Sequence, residues 1–352
     1  MRDKPFIIPV FIPHAGCPHK CIYCNQRLIT GNSVSYPDTE MVRKSIERFL
    51  RFSKKREKEN SYIAFYGGTF TALPLEVQEK LLETVQEFVR KGLVEGVRFS
   101  TRPDCITEEE LDFLANYPVK AIELGAQSMD DRVLRAAARG HSSRDTKKAS
   151  KLIKYRSYEL GIQIMAGLPK ETRKSFYKTV QEIIEIKPDF VRIYPTLVIL
   201  GSSLAKLYKQ GKYRPLGLSE AVELVLDAYL AFEKAGIRVI RMGLQAEPWF
   251  DKPGIVLAGP YHPAFGELVI SAYYNKLVSA ILEEATPDQG YLEIRVPPEV
   301  FSQVRGHKGV NLKRWATLYS VPRIDIRGSK ELKSEIVIRI GEKEWKINCP
   351  GL

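Results

Sequence analysis

The phrase GCPHKCIYCNQ, residues 16–26, holds Cys17, Cys21 and Cys24, three of the chain's five cysteines. Thiols this close together can share a metal centre. A structural zinc site usually closes a tetrahedron with four ligands. No fourth cysteine lies nearby, although His14 and His19 offer imidazole nitrogens. Three thiolates on one loop can instead hold three irons of a 4Fe–4S cluster and leave the fourth iron open to a substrate or cofactor. The residues alone leave both arrangements standing. Two further candidates, His262 and Glu267 in GPYHPAFGE (259–267), have side chains suited to carrying protons at the mouth of a site.

These residues need a scaffold. FIIPVFIP (6–13), SYIAFYGG (61–68), VRFST (97–101), AIELGAQS (121–128), IQIMAGLP (162–169) and FVRIYPTLVI (190–199) read as strands. Their near-continuous apolar character suits strands covered on both faces. Helical patterns such as MVRKSIERFLRF, LEVQEKLLETVQEFVRK and RKSFYKTVQEIIEI lie between them. Recurring strand–helix units predict parallel strands with crossover helices, hence an α/β fold built as a full or partial TIM-like (βα)6-type barrel. Sites in such barrels sit at the C-terminal ends of the strands. A long helix (218–236), a last strand RVIRMGLQ (238–245) and a helix over 262–285 follow. The turn-rich TPDQG (286–290) then marks a boundary, giving a barrel domain over 1–285 and a small α+β domain over 286–352.

The strand ends supply further candidates. Gly67-Gly68-Thr69 closes the second strand, where two glycines let backbone approach a ligand closely. Gln127-Ser128 ends the fourth. Gly167-Leu168-Pro169 ends the fifth and offers an apolar shelf with backbone polar atoms.

At Cys-x3-Cys-x2-Cys, with the aromatic Tyr23 before the last cysteine, the sequence resembles the radical S-adenosylmethionine (SAM) superfamily. The resemblance implies that SAM binds the open iron and that one-electron reduction splits it into methionine and a 5′-deoxyadenosyl radical. An electron donor such as flavodoxin or ferredoxin is then an expected partner. YGGTFTALP (66–74), STRPDCI (100–106), IELGAQSMDDRVLRAAARGH (122–141), IMAGLPKET (164–171) and RIYPTLVILGSSLAKLYKQGKY (192–213) are similar to the radical domain of the Elongator catalytic-subunit family, which modifies wobble uridine in tRNA. A more distant similarity is to oxygen-independent coproporphyrinogen oxidase. It implies that Gln127, Arg139 and Gln163 meet the ribose and methionine carboxylate, while the glycines and Thr69 receive the ammonium and Leu168 with Pro169 the adenine. The Elongator subunit spaces its first two cysteines further apart and carries an acetyltransferase domain. None is expected here, so an acetyl-CoA-derived product is not expected either. Some radical methyltransferases carry a methyl group on a cysteine pair. Cys105 and Cys349 are candidates for that role, but packing beside the barrel and in a terminal strand is the simpler expectation.

The C-terminal piece carries QVRGHKGVNLKRW, with Gly306-His307-Lys308-Gly309 between two short helices. Strand–helix–GxxG–helix–strand–strand resembles a KH domain, in which such a loop approaches a nucleic-acid backbone. Arg305, Lys308, Lys313 and Arg314 add charge along the same edge. The net charge of +12 over 352 residues agrees with a polyanionic partner, whereas KKREKE (54–59) reads as solvated surface. No run of apolar residues reaches membrane-spanning length, and the proline-containing N-terminus argues against a signal peptide. A cytoplasmic enzyme modifying tRNA or rRNA is therefore the leading expectation. The same chemistry on a small molecule such as a tetrapyrrole comes second, and a zinc-stabilised RNA-binding protein without catalysis third.

Overall fold

The computed structural model describes residues 5–12, 15–25, 36, 38–52, 61–244, 250–285, 291–321 and 323–349. Seven strands form one parallel sheet. They are β1 (Phe6–Phe11), β2 (Ser61–Tyr66), β3 (Gly96–Thr101), β4 (Val119–Gln127), β5 (Glu159–Ala166), β6 (Phe190–Pro195) and β8 (Arg238–Met242), each beside the next in chain order. Among the described residues no pairing joins β8 back to β1, so the barrel is partial. Helices on one face supply the crossovers that parallel pairing demands.

The two faces of this sheet differ. Ile63, Phe65, Val97, Phe99, Ile122, Leu124, Ile162, Ile164, Val191 and Ile193 are all fully buried under the helices. The alternate positions carry Tyr66, Arg98, Ser100, Glu123, Gln163 and Arg192, so the strands are not apolar on both sides as their sequences suggest. Register accounts for the clustering, because Ser100 stands opposite Glu123 and Gln163 opposite Arg192. The segment 190–199 is also not one strand. The chain leaves the sheet at Pro195, and β7 (Val198–Ile199) pairs antiparallel with β9 (Val256–Ala258).

The crossover helices start where capping chemistry allows. Ser142 with Asp145, and Thr172 with Ser175, form reciprocal caps for the helices Ser143–Tyr155 and Arg173–Ile186. KKREKE lies outside the described residues.

The C-terminal sheet runs in the order β11 (Arg323–Gly328), β10 (Tyr291–Val296), β12 (Glu335–Ile340) and β13 (Lys343–Asn348). β10 and β11 are parallel, and the helices Phe301–Arg305 and Val310–Leu318 cross between them. Leu292, Ile294, Ile336, Ile338 and Trp315 build its core together with Tyr274, Val278, Ile281 and Leu282 from the helix Phe265–Ala285. The first part of that helix, at Phe265 and Val269, packs in the barrel core. The helix is thus common to both units, and the C-terminal core begins upstream of residue 286. None of the helices among the described residues is long and apolar enough to cross a membrane.

Candidate active site

Backbone contacts at the end of β2 fix the cysteine loop. Ile12 N–H donates to the Tyr66 carbonyl (2.7 Å) and Thr69 N–H to the Ala15 carbonyl (2.9 Å). Gly16 has φ of 71°, and a Cβ there would lie 2.3 Å from the Thr69 oxygen. A Cβ on Gly68 would lie 2.5 Å from the Ala15 oxygen. Only glycine at both positions lets the two loops lie this close. Cys17 Sγ then rests 3.4 Å from Thr69 Oγ1.

The loop's other flank is held by different elements. Ile22 N–H donates to the Ala137 carbonyl (3.2 Å), and Leu204 N–H to the Ile22 carbonyl (2.7 Å). Tyr23 packs against two buried clusters, one of Val133, Ala137, Met165 and Leu168 and the other of Val198, Leu204, Ala205 and Tyr213. The aromatic before Cys24 is therefore an anchor for the loop. Buried Arg139 directs Nη1 to Cys21 Sγ (3.1 Å) and Nη2 to the Gly125 carbonyl (2.5 Å). Gly140, with φ of 73°, admits the His19 ring, which would lie 2.4 Å from a Cβ there. His141 beside it is buried, with Nε2 3.2 Å from the Ala126 carbonyl. Burial, and then the charges of Arg139 and Arg102, hold this imidazole down to about 4, so it is neutral.

This pocket suits a cluster and a polar ligand. Cys17, Cys21 and Cys24 are half-buried cysteines outside any disulfide, on one short loop. Among the described residues no three His, Cys, Asp or Glu side chains converge on a point that would hold a single ion. In a 4Fe–4S cluster each of the three thiolates would take a separate iron. His14, a possible zinc ligand, lies outside the described residues. Gln127 Oε1 and Arg139 Nε are buried without a partner among the described residues, which leaves an acceptor and a donor for a ligand beside the cysteines. Gln127 itself holds φ of 66° at the end of β4, after an irregularity in its pairing with β5.

Other expected contacts are engaged elsewhere. Ser128 is fully buried and its Oγ serves Thr179 Oγ1 (3.2 Å) and Asp130 N–H (3.1 Å), so it builds the turn and offers no hydroxyl to a ligand. Leu168 is 2% exposed and Pro169 is buried, so neither forms an open shelf. Gly167 N–H donates to Glu171 (2.6 Å) and its carbonyl accepts from Tyr213 OH (2.6 Å). Gln163 gives its amide to Ser100 Oγ (2.9 Å) and Glu123 (3.2 Å) instead of to a ribose. Cys105 lies in the turn Pro103–Cys105, where burial and then Asp104 push its thiol up to about 11, an unreactive state at neutral pH. Cys349 is buried in the C-terminal core and forms no pair with it.

His262 and Glu267 do not join the cysteines. Both line a cleft with Arg305, Gly306, His307, Lys308 and Gly309. Lys313 and Arg314 are exposed on the helix that follows.

Reading the sequence left out the floor of the half-barrel. Fully buried Glu123 binds Arg98 Nη2 (2.9 Å) and Arg192 Nε (2.7 Å) and accepts from Tyr66 OH (3.2 Å). Burial alone would raise its pKa, but Arg192 and Arg98 outweigh that and hold the carboxylate ionised. Single charges inside VRF, IEL and VRI are the signal that would have found it.

A partial parallel half-barrel with three cysteines after its first strand defines a class. Residues 11–183 match the Radical SAM superfamily and residues 188–275 the Radical SAM C-terminal domain. The chain belongs to the radical SAM superfamily, whose cofactors are a 4Fe–4S cluster and SAM. An uncharacterized protein of Methanocaldococcus jannaschii is 35% identical over 235 residues, covering 64% of this chain and 71% of its own length. A tRNA uridine(34) acetyltransferase of Methanocaldococcus infernus is 28% identical over 271 residues, covering 64% of this chain and 50% of its own length. The solved archaeal Methanocaldococcus infernus Elp3 superposes with a TM-score of 0.62 at 24% identity, over 78% of this chain and 64% of that one. The chain thus spans about half the length of the tRNA uridine(34) acetyltransferases it matches.

Proposed function

We propose that this protein modifies a base in tRNA or rRNA in the cytoplasm, using a 4Fe–4S cluster on Cys17, Cys21 and Cys24. The observation that carries the RNA reading is the pairing of this half-barrel with a C-terminal strand–helix–GHKG–helix–strand unit. Arg305, Lys308, Lys313 and Arg314 are exposed there, and none of them makes an ion pair among the described residues. Such a loop, lined by cations, suits a nucleic-acid backbone. The relatedness to a tRNA uridine(34) acetyltransferase supports the same reading.

When bound, the cluster and SAM supply one-electron radical chemistry, drawing on an external donor of the flavodoxin or ferredoxin class. The protein's own groups prepare the place for it. Arg139 sets a guanidinium on Cys21 and offsets thiolate charge away from water. Thr69 and the two glycine contacts hold Cys17 in position. Gln127 Oε1 offers an acceptor to a hydroxyl or ammonium of the ligand. The target base comes from a loop or single strand, where leaving the stack costs only a few kcal/mol.

Nucleoside mass spectrometry on tRNA and rRNA from cells with and without the gene tests this reading. One nucleoside should vanish on deletion and return with the wild-type gene but not with Cys24→Ala. Identical profiles would discard the RNA substrate and turn the search to small molecules such as tetrapyrroles.

A further inference from the structure

Between the shared helix Phe265–Ala285 and the GHKG loop lies a cleft of about 480 Å³, within the range that holds a small ligand. His262, Glu267 and Leu268 form the barrel-side wall, and Phe301, Arg305, His307 and Lys308 face them from the C-terminal unit. The His262 and His307 rings meet edge to face, with centroids 5.8 Å apart. His262 Nδ1 accepts from the Ala264 N–H (3.1 Å), so the neutral ring carries its proton on Nε2 as a donor.

The two walls are fastened together. Buried Asn311 donates Nδ2 to the Ser271 carbonyl and Oγ (both 3.1 Å) and to the Val304 carbonyl (3.0 Å). Lys308 holds φ of 52°, a left-handed backbone that few side chains adopt, which turns the loop tip sharply. The barrel-side wall is tied to the sheet as well, because a Cβ on Gly243 would lie 2.7 Å from Phe265. The cleft therefore stands at the C-terminal end of β8, on the same rim from which the cysteine loop leaves β1.

We propose that this cleft is a nucleotide-binding subsite built jointly by the barrel and the C-terminal unit, occupied by one nucleotide of single-stranded RNA. Histidine and phenylalanine rings give stacking surface that tolerates any base. Arg305 and Lys308 face the phosphate, and Glu267 on the opposite wall accepts from a base amino group or ribose hydroxyl. A strand gripped by GHKG then passes His262 on its way to the barrel mouth. This inference rests on the RNA reading above.

The test is equilibrium binding of a short fluorescent oligouridylate to the cluster-loaded full-length protein at several salt concentrations. His262→Ala and Ala264→Glu, both on the barrel-side wall, should each weaken binding about tenfold, the first without changing the salt slope. Lys308→Ala should weaken binding and lower the slope by about one. Ala264 is exposed, so its variant carries the test if His262→Ala fails to fold. Wild-type binding by both barrel-side variants, with Lys308→Ala still weakened, would overturn the joint subsite and leave the RNA reading intact. Unchanged binding by all three would remove the loop from RNA recognition altogether.

Discussion

Arginines serve opposite ends in two regions of this molecule. On the half-barrel floor, Arg98 and Arg192 are nearly sealed from water, and both spend their charge on Glu123. At the GHKG edge, Arg305 and Arg314 are exposed and meet no acid among the described residues. The difference follows from solvation. A buried cation must find its counter-charge within the fold, because an uncompensated buried charge is far costlier than a solvated one. A surface cation carries no such demand and remains available to a partner. The floor is architecture, while the edge is positioned to bind.

Breaking the floor gives the largest effect on stability. Glu123→Ala leaves Arg98 and Arg192 facing each other without a carboxylate, and the expected loss is about 3–5 kcal/mol in urea unfolding. Glu123→Gln, which keeps acceptor and shape, should cost less. If Glu123→Ala unfolds like the wild type, the floor is not holding the sheet together.

A second buried carboxyl sharpens the contrast. Glu171 accepts from backbone N–H groups at Gly167 and Leu168, yet among the described residues no arginine reaches it. Burial therefore pushes it up to about 8 from the ordinary 4.5, the opposite direction from Glu123. Because the folded state binds this proton more tightly, the associated stability is complete below about pH 4.5 and is lost as pH rises through about 8. Glu171→Gln cannot ionise but can still accept from Gly167. The stability gap between wild type and variant should shift by up to about 5 kcal/mol in the variant's favour across that window. Parallel curves for the two proteins would show that Glu171 titrates normally.

How legible each region was depends on how local its interactions are. Cys17, Cys21 and Cys24 announce themselves because their spacing is itself the chemistry. The strand order was legible too, since parallel pairing with crossovers leaves few alternatives. Glu123 was not, because its partners Arg98 and Arg192 lie 25 and 69 residues away and meet it only through strand register. Ser128, Leu168 and Pro169 stand at strand ends, where exposure is normal, but there the turns fold their side chains inward. The make-up of the C-terminal core was hidden for a similar reason. TPDQG marks a break in pattern, yet Tyr274, Val278, Ile281 and Leu282, upstream of it, are needed to fill the second core.

The smallest stability change belongs to the exposed edge, and it carries the most information. Arg305→Glu with Lys308→Glu reverses two solvated charges that make no ion pair among the described residues. Unfolding free energy should therefore stay within about 0.5 kcal/mol of wild type. RNA affinity should fall at least about tenfold, with a shallower dependence on salt, because two fewer phosphates release their counterions. Stability and binding thus separate at this edge and stay coupled at the floor, where Glu123→Ala should lose both. A double variant that melts early would place Arg305 and Lys308 with Arg98 and Arg192, as charges the fold itself requires.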